Sequence, residues 1–347
     1  MTTAFGSVRL AREYTTGPDG GAFAADAALG IDGPLTLQAR RVVALAGVRQ
    51  SFAKARQLVL ELCGWTVGQE AVRGVTHAEA RRAAADRPGR GDAARFAACP
   101  EAIEVPIDAG KVNTLDGWRD VKLAAFSRRK AGEAATPEAW DDRDLPPPTA
   151  RAVVAAVEGC GPFAERVRRE ADRLGVTTAV DVTVLADGAE WIWNLAEAVV
   201  PQAAGVLDVY HAVEAVAGAV KAVWGEGTVA AAGHTDAGRR ALLAGGKSGV
   251  EAWLGSAFAS VPAGVSTEPL LGLAGYLGKH PTRLDYAGRL ASGRSIGSGQ
   301  IEGAVKQLVN QRFKKTGARW AVANVGPLVE LVALCDTPDW RDLWVAA

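Results

Sequence analysis

The protein has 347 residues, enough at roughly 100–200 residues per domain for two or three domains with ordinary hydrophobic cores, and this excludes a disulfide-stapled miniprotein. Hydrophobic residues make up 48% and charged residues 22%, which excludes both a disordered chain and a protein dominated by membrane spans. Lys+Arg is 39 and Asp+Glu is 39; a zero formal charge gives no global field to coat nucleic acid, although a neutral sum can hide segregated charge.

No apolar run approaches the ~20 residues of a membrane helix, and the N-terminal stretch MTTAFGSVRLAREYTTGPDG has no apolar signal core. A soluble, cytoplasmic protein without membrane partners is expected. Cys63, Cys99, Cys160 and Cys335 are widely spaced with no C-x-x-C pair, so they read as small buried hydrophobes rather than zinc ligands.

Residues 1–36 lack periodicity and read as an irregular lead-in. From Leu37 the pattern is helical, ending at Gly47; Ser51 then caps a helix through Leu62, and Thr66 with Gln69 forms a capping box for a third helix to about Ala85. Three short helices with a tight turn before the third predict a helix-turn-helix-like DNA-binding domain over 37–98. Over 37–96, eleven Lys/Arg against five acids give +6, a basic patch that includes Arg49, Lys54, Arg56 and Arg73. A helical hairpin with a solvated basic face accounts for the same count.

Ile103, Val105 and Ile107 alternate with polar or Pro positions, a strand ending on Asp108, and a second strand fits Val121–Ser127. A Pro-rich, acidic linker precedes a predicted long helix from Thr149 to Leu174. Val180–Leu185 is an apolar strand ending on Asp187-Gly188; a helix over Trp191–Val199 and a strand over Gly205–Asp208 follow. This order predicts an α/β domain whose first part spans 99–210. Residues 211–291 read as a helical insertion, and 292–347 as C-terminal helices, with a helix from near Ser298 to Phe313 and another over Trp320–Cys335.

Asp108 and Asp187 fall at the carboxyl ends of predicted strands, the edge of an α/β sheet where sites form. Each acid also suits a turn. Two carboxylates brought together repel unless a cation neutralises them, and Mg²⁺ is the common solution. Glu302 is the one acid over 294–319 against six basic residues, a local +5, as a phosphodiester-cleaving metal site would need; an i,i+4 pair with Lys306 is the plainer reading. Ala241–Ser248 loosely fits a phosphate-binding loop but lies in a helical pattern with no feeding strand. Trp191, Trp193, Trp224, Trp253 and Trp320 are candidates for base stacking, with core packing the default for indoles.

The spread Asp108, Asp187, Glu302, with DGAEWIWN after the second acid, LDVYH downstream and GSGQIEGAVKQLVNQRFKKTGARW near the end, resembles DDE transposases of bacterial insertion sequences, of the Kra type. The resemblance covers roughly residues 37–345. It implies a ribonuclease H-like mixed sheet with flanking helices and a helical insertion before the last acid. It further implies Asp108, Asp187 and Glu302 as a catalytic triad holding two Mg²⁺ or Mn²⁺ ions, and His211 of the D-x-x-H motif begun by Asp208 near the scissile phosphate. Read alone, His211 is a lone imidazole at a helix start. Lys306, Arg312, Lys314, Lys315 and Arg319 would grip DNA backbone phosphates. The implied activity is cleavage and strand transfer on double-stranded DNA, element ends and target alike, by a homo-oligomer. Relatives often carry an N-terminal cysteine-rich segment, whereas residues 1–36 contain no Cys or His. The alternative is therefore a catalytically silent, transposon-derived DNA-binding protein.

Overall fold

In a computed structural model of the protein, the residues described are 1–9, 11, 13–17, 20–23, 26, 33–297, 299, 303 and 305–345, without the side chains of 22 and 305–307. Glu302 and the Lys306 side chain lie outside the described residues.

The lead-in contains two short antiparallel pairs, β1 (Thr2–Thr3) with β2 (Gly6–Ser7) and β3 (Tyr14–Gly17) with β4 (Gly20–Phe23). Helix α1 (Leu37–Arg49) starts where the Thr36 side chain accepts the Ala39 N–H, and it runs past Gly47. That glycine does not end the helix. It is a crossing point, where a Cβ would collide with Thr76 Oγ1 of α3 (Gln69–Ala85). Helix α2 (Phe52–Cys63) is capped by Ser51, as expected, and stopped by Gly64 at φ 72°. The expected box at Thr66 does not form, because α3 follows Gly68 without a side-chain cap. A short α4 (Asp92–Ala98) leads into the sheet.

The sheet has five strands in the order β7-β6-β5-β8-β9. β5 (Ala102–Thr114) and β6 (Gly117–Arg129) form a long antiparallel hairpin, β7 (Ala150–Ala156) lies antiparallel to β6, and β8 (Val182–Ala186) and β9 (Ala204–Leu207) run parallel to β5. The protein is thus mixed α/β, with helices on both faces of a mixed sheet.

Residues 150–156 correct the expected helix from Thr149. Val153 and Ala155 pack in the core against the C-terminal helix, whereas Ala152, Val154 and Ala156 pack against α5 (Cys160–Arg173), so no polar alternation marks this strand. A strand buried on both faces has the composition of a buried helix. Helix α6 (Glu190–Val199) lies where expected.

Between β9 and residue 291 the chain is helical: α7 (Val209–Trp224), α8 (Val229–Ala259), α9 (Glu268–Gly278) and α10 (Tyr286–Ala291) enclose their own apolar cluster. Helix α8 is kinked at Gly246, with φ 51° and ψ −130°. A Cβ there would lie 2.6 Å from the Leu284 carbonyl oxygen. Residues 241–248 thus lie within a kinked helix that no strand feeds and form no phosphate-binding loop.

Val305–Asn310 form a π-helical segment, and α11 (Val322–Leu334) packs across β6 and β7 together with α1 and α3. Trp320 precedes that helix rather than opening it, bridging to Thr114. Helices from both ends of the chain thus share one core with the back of the sheet. Among the described residues, no helix is long and apolar enough to cross a membrane.

Candidate active site

The parallel pairing of β5 with β8 ends at Pro106↔Leu185, and that of β8 with β9 ends at Ala186↔Leu207. Continuing this register puts Asp108 level with Asp187 and Asp187 level with Asp208, three acids across three neighbouring parallel strands. The Asp208 N–H donates to the Ala186 carbonyl oxygen at 2.7 Å, which ties the last two rows together. Asp108 is not a strand terminus, as the alternation predicted. β5 continues to Thr114 against β6 after its pairing with β8 stops, so Asp108 sits where the sheet loses its parallel neighbour.

The three acids have different surroundings. Asp108 and Asp187 are half-buried. Asp108 Oδ1 accepts its neighbour Ala109 N–H at 2.6 Å, and Asp187 Oδ1 accepts the Ala189 N–H at 2.8 Å. Asp208 is fully buried and caps α7, its Oδ1 accepting the His211 N–H at 3.0 Å and lying 3.1 Å from His211 Nδ1. The imidazole is therefore anchored by Asp208, with 41% of its side chain still exposed.

A tyrosine that sequence reasoning did not single out stands beside the residue that follows Asp187. Tyr276 of α9 packs on Gly188, where a Cβ would collide with its ring. Burial pushes the Tyr276 phenol up from its ordinary value, and the negative charges of Asp187 and Asp208 push it further. Its only trace in the sequence is the glycine after Asp187, since LLGLAGYLG reads as plain apolar helix. Beside it, His280 is buried, with Nδ1 2.9 Å from Arg283 Nη1 and with Nε2 unpartnered among the described residues. Burial and the Arg283 and Lys279 charges push the His280 imidazole down, against the pull of Asp187.

The backbone reaches this edge again near the C-terminus. Val209 N–H donates to the Ile296 carbonyl oxygen at 3.1 Å, and a Cβ on Gly297 would lie 3.4 Å from Asp208 Oδ2. The π-helical segment 305–310 begins shortly after; such segments concentrate at functional sites.

Among the described residues, no three His, Cys, Asp or Glu side chains gather as a metal-binding group. The donors that are described are nonetheless of the right kind for a hard divalent cation: carboxylate oxygens in register on adjacent strands.

The expected DNA-contacting residues divide. Lys54, Arg56, Lys314, Lys315 and Arg319 are exposed, and Arg319 donates to the Leu115 carbonyl oxygen at 2.8 Å. Arg49 pairs with Asp336, and Arg73 with Glu70. Arg312 is a correction. It is 3% exposed, donates Nε–H to the Gly47 carbonyl oxygen at 3.0 Å, and lies 4.6 and 4.7 Å from the ring centres of Phe52 and Trp320. No phosphate can reach a guanidinium enclosed between two rings.

The tryptophans mostly follow the packing default. Trp193, Trp253 and Trp320 are buried; Trp191 is half-buried against Phe163, and Trp224 stacks on His234 at 3.8 Å. Trp193 also supports the site from beneath, donating its indole N–H to the Asp187 carbonyl oxygen at 2.9 Å with Arg283 3.9 Å above its ring. Compared with known protein-family models and with curated proteins, the chain matches none.

Proposed function

We propose that the protein is a metal-dependent DNA-cleaving and strand-transferring enzyme of the DDE transposase class, with a ribonuclease H-like core and an N-terminal helix-turn-helix-like unit. The observation that carries this reading is the register of Asp108, Asp187 and Asp208 across adjacent parallel strands of a mixed sheet. Along the sequence, the helices of residues 209–291 fall between the strands that carry that row and Glu302, as the resemblance calls for. Gly297, five positions before Glu302 in sequence, lies against Asp208.

In this reading Asp108, Asp187 and Glu302 hold two Mg²⁺ or Mn²⁺ ions. When bound, such ions activate a water for attack on a phosphodiester and stabilise the leaving 3′-oxygen. Asp208 holds α7 and the His211 ring at the rim, where the imidazole is positioned to hydrogen-bond a phosphate oxygen. Tyr276 of the inserted helices packs against Gly188, the residue after Asp187. The exposed Lys314, Lys315 and Arg319 supply backbone-phosphate contacts, and the exposed cations of α2 and α3 supply those of the N-terminal unit; phosphate contacts orient DNA without reading its sequence. A homo-oligomer acting on paired element ends is the form this activity takes.

The test is cleavage and joining of DNA that carries the ends flanking the gene, with Mg²⁺ or Mn²⁺ present and with EDTA. Activity is expected only with metal, and Asp108→Asn, Asp187→Asn and Glu302→Gln should each abolish it. Full activity in any of the three overturns the triad. Salt-sensitive DNA binding without cleavage in any divalent metal identifies the silent DNA-binding protein instead.

A further inference from the structure

Arg283, in the loop between α9 and α10, is a half-buried cation that forms no ion pair among the described residues. The acid whose charge it feels is Glu197 of α6, and burial still pushes the guanidinium down from its ordinary value. Taking a cation partly out of water without a carboxylate costs stability, so something other than stability keeps it there. The guanidinium carbon lies 3.9 Å from the ring centre of Trp193. Nη1 donates to His280 Nδ1 at 2.9 Å; because arginine can only donate, that imidazole is neutral and carries its proton on Nε2. Gly205 of β9 makes room for both partners, since a Cβ on it would lie 3.0 Å from Arg283 Cγ and Nε and from Trp193 Cζ3.

This contact leads to two acids of the row. The Trp193 indole N–H donates to the Asp187 carbonyl oxygen at 2.9 Å, and Asp187 Oδ1 accepts the Ala189 N–H at 2.8 Å, so the indole braces the turn that carries the carboxylate. On the main chain, the Arg283 carbonyl oxygen accepts the Leu207 N–H at 2.9 Å, one residue before Asp208. A residue of the inserted helical region therefore touches the supports of both neighbouring acids. A guanidinium stacked on an indole fixes the plane of the ring, and with it the direction of the N–H. Packing alone needs no cation, because an aliphatic chain fills the same space without desolvating a charge.

Resting on the metal-dependent reading above, we propose that Arg283 is a positioning residue for Asp187 and acts through Trp193. The guanidinium orients the indole, the indole N–H holds the Asp187 carbonyl, and the turn at the end of β8 keeps its place. Because the Arg283 main chain also holds Leu207, the same residue sets Asp187 against Asp208. Groups one step behind a metal ligand orient it and tune its affinity, and losing one costs roughly ten- to a hundredfold.

The experiment compares the full-length wild type with Arg283→Gln, Trp193→Phe and the double variant. Trp193→Phe keeps a ring under the guanidinium and removes the N–H. Two quantities are read: Mn²⁺ affinity from the free-ion signal in electron paramagnetic resonance, counting the binding that Asp187→Asn loses, and hydrogen–deuterium exchange over residues 187–193 without metal. Urea unfolding checks that each variant is folded. Each single variant should bind Mn²⁺ about tenfold more weakly and exchange this segment about tenfold faster, the effect of one lost hydrogen bond. The double variant should be no worse than the worse single, because the two residues act in series. If Arg283→Gln does not fold, Arg283→Met, which keeps the aliphatic stem, takes its place. Unchanged exchange in the folded Arg283 variant overturns the proposal, and so does unchanged Mn²⁺ affinity where the wild type binds the ion. Additive losses overturn the route through Trp193. A wild type that binds no Mn²⁺, with faster exchange in the Arg283 variant, keeps the brace on the Asp187 turn and removes the metal-dependent enzyme.

Discussion

Asp208 Oδ1 accepts the His211 N–H at 3.0 Å and lies 3.1 Å from Nδ1 of the same histidine, so one buried carboxylate both starts α7 and orients the ring beside the site. Removing it costs the cap and leaves polar groups unpaired in the interior. Asp208→Ala should destabilise the protein by about 2–3 kcal/mol in urea unfolding. Asp208→Asn, which can still cap, should cost less, yet it should lower cleavage if the His211 ring is held by charge. Equal stability of the two variants would remove the capping role.

Gly188 permits Tyr276 to lie against the residue after Asp187. A methyl group there has to displace an aromatic ring packed in the helical insertion. Gly188→Ala is expected to cost about 1–3 kcal/mol and to lower activity together with stability. Restoring stability with the double variant Gly188→Ala/Tyr276→Ala while activity stays low would separate the role of Tyr276 at the site from its packing.

His77 stands against the Phe52 and Trp320 rings, with Arg81, Arg312 and Arg73 around it. Burial, then these charges, push its imidazole from 6.5 down to about 4. The unfolded chain therefore binds the proton more tightly than the folded one. The contribution of His77 to stability is complete above about pH 6.5 and is lost as pH falls toward about 4. Because the group is half-exposed, screening reduces the effect to on the order of 1 kcal/mol. The difference between urea-unfolding free energies of wild type and His77→Gln should shrink through that range. A difference independent of pH would show that His77 is not the group titrating.

Arg312 and its exposed neighbours should respond in opposite ways. Arg312→Ala removes the bond to Gly47 and the packing between two rings, and should cost about 2–4 kcal/mol, seen as a lower urea midpoint. Lys314→Ala, Lys315→Ala and Arg319→Ala should change stability by less than about 0.5 kcal/mol. Under the DNA-binding reading they weaken binding uniformly across sequences, each reducing the salt slope by about one.

Legibility followed the range over which each feature is determined. Local chemistry is written locally: Ser51 caps α2, Gly64 ends it, and strand periodicity led to Asp108 and to Asp187. β7 was hidden because both of its faces are covered, leaving alanine and valine where an exposed face would have shown polar residues. Arg312 carries the charge of a phosphate contact, and only the rings of Phe52 and Trp320, brought from distant segments, make it a buried structural group. Tyr276 lies far in sequence from Asp187 and Asp208, whose charges it feels, and no motif connects them.

By itself, the sequence determined most of the alternation of strands and helices, the strands that lead into Asp108 and Asp187, and the separation of +6 and +5 basic segments within a neutral total. Those depend on side-chain period, turn chemistry and charge, which act over a few residues. The tertiary structure alone decided that Asp208 joins the row, that Tyr276 packs against the residue after Asp187, and that Arg283 lies over the Trp193 ring. Strand register and helix packing bring together residues tens of positions apart, and burial then sets which charges face solvent and which are held in the interior.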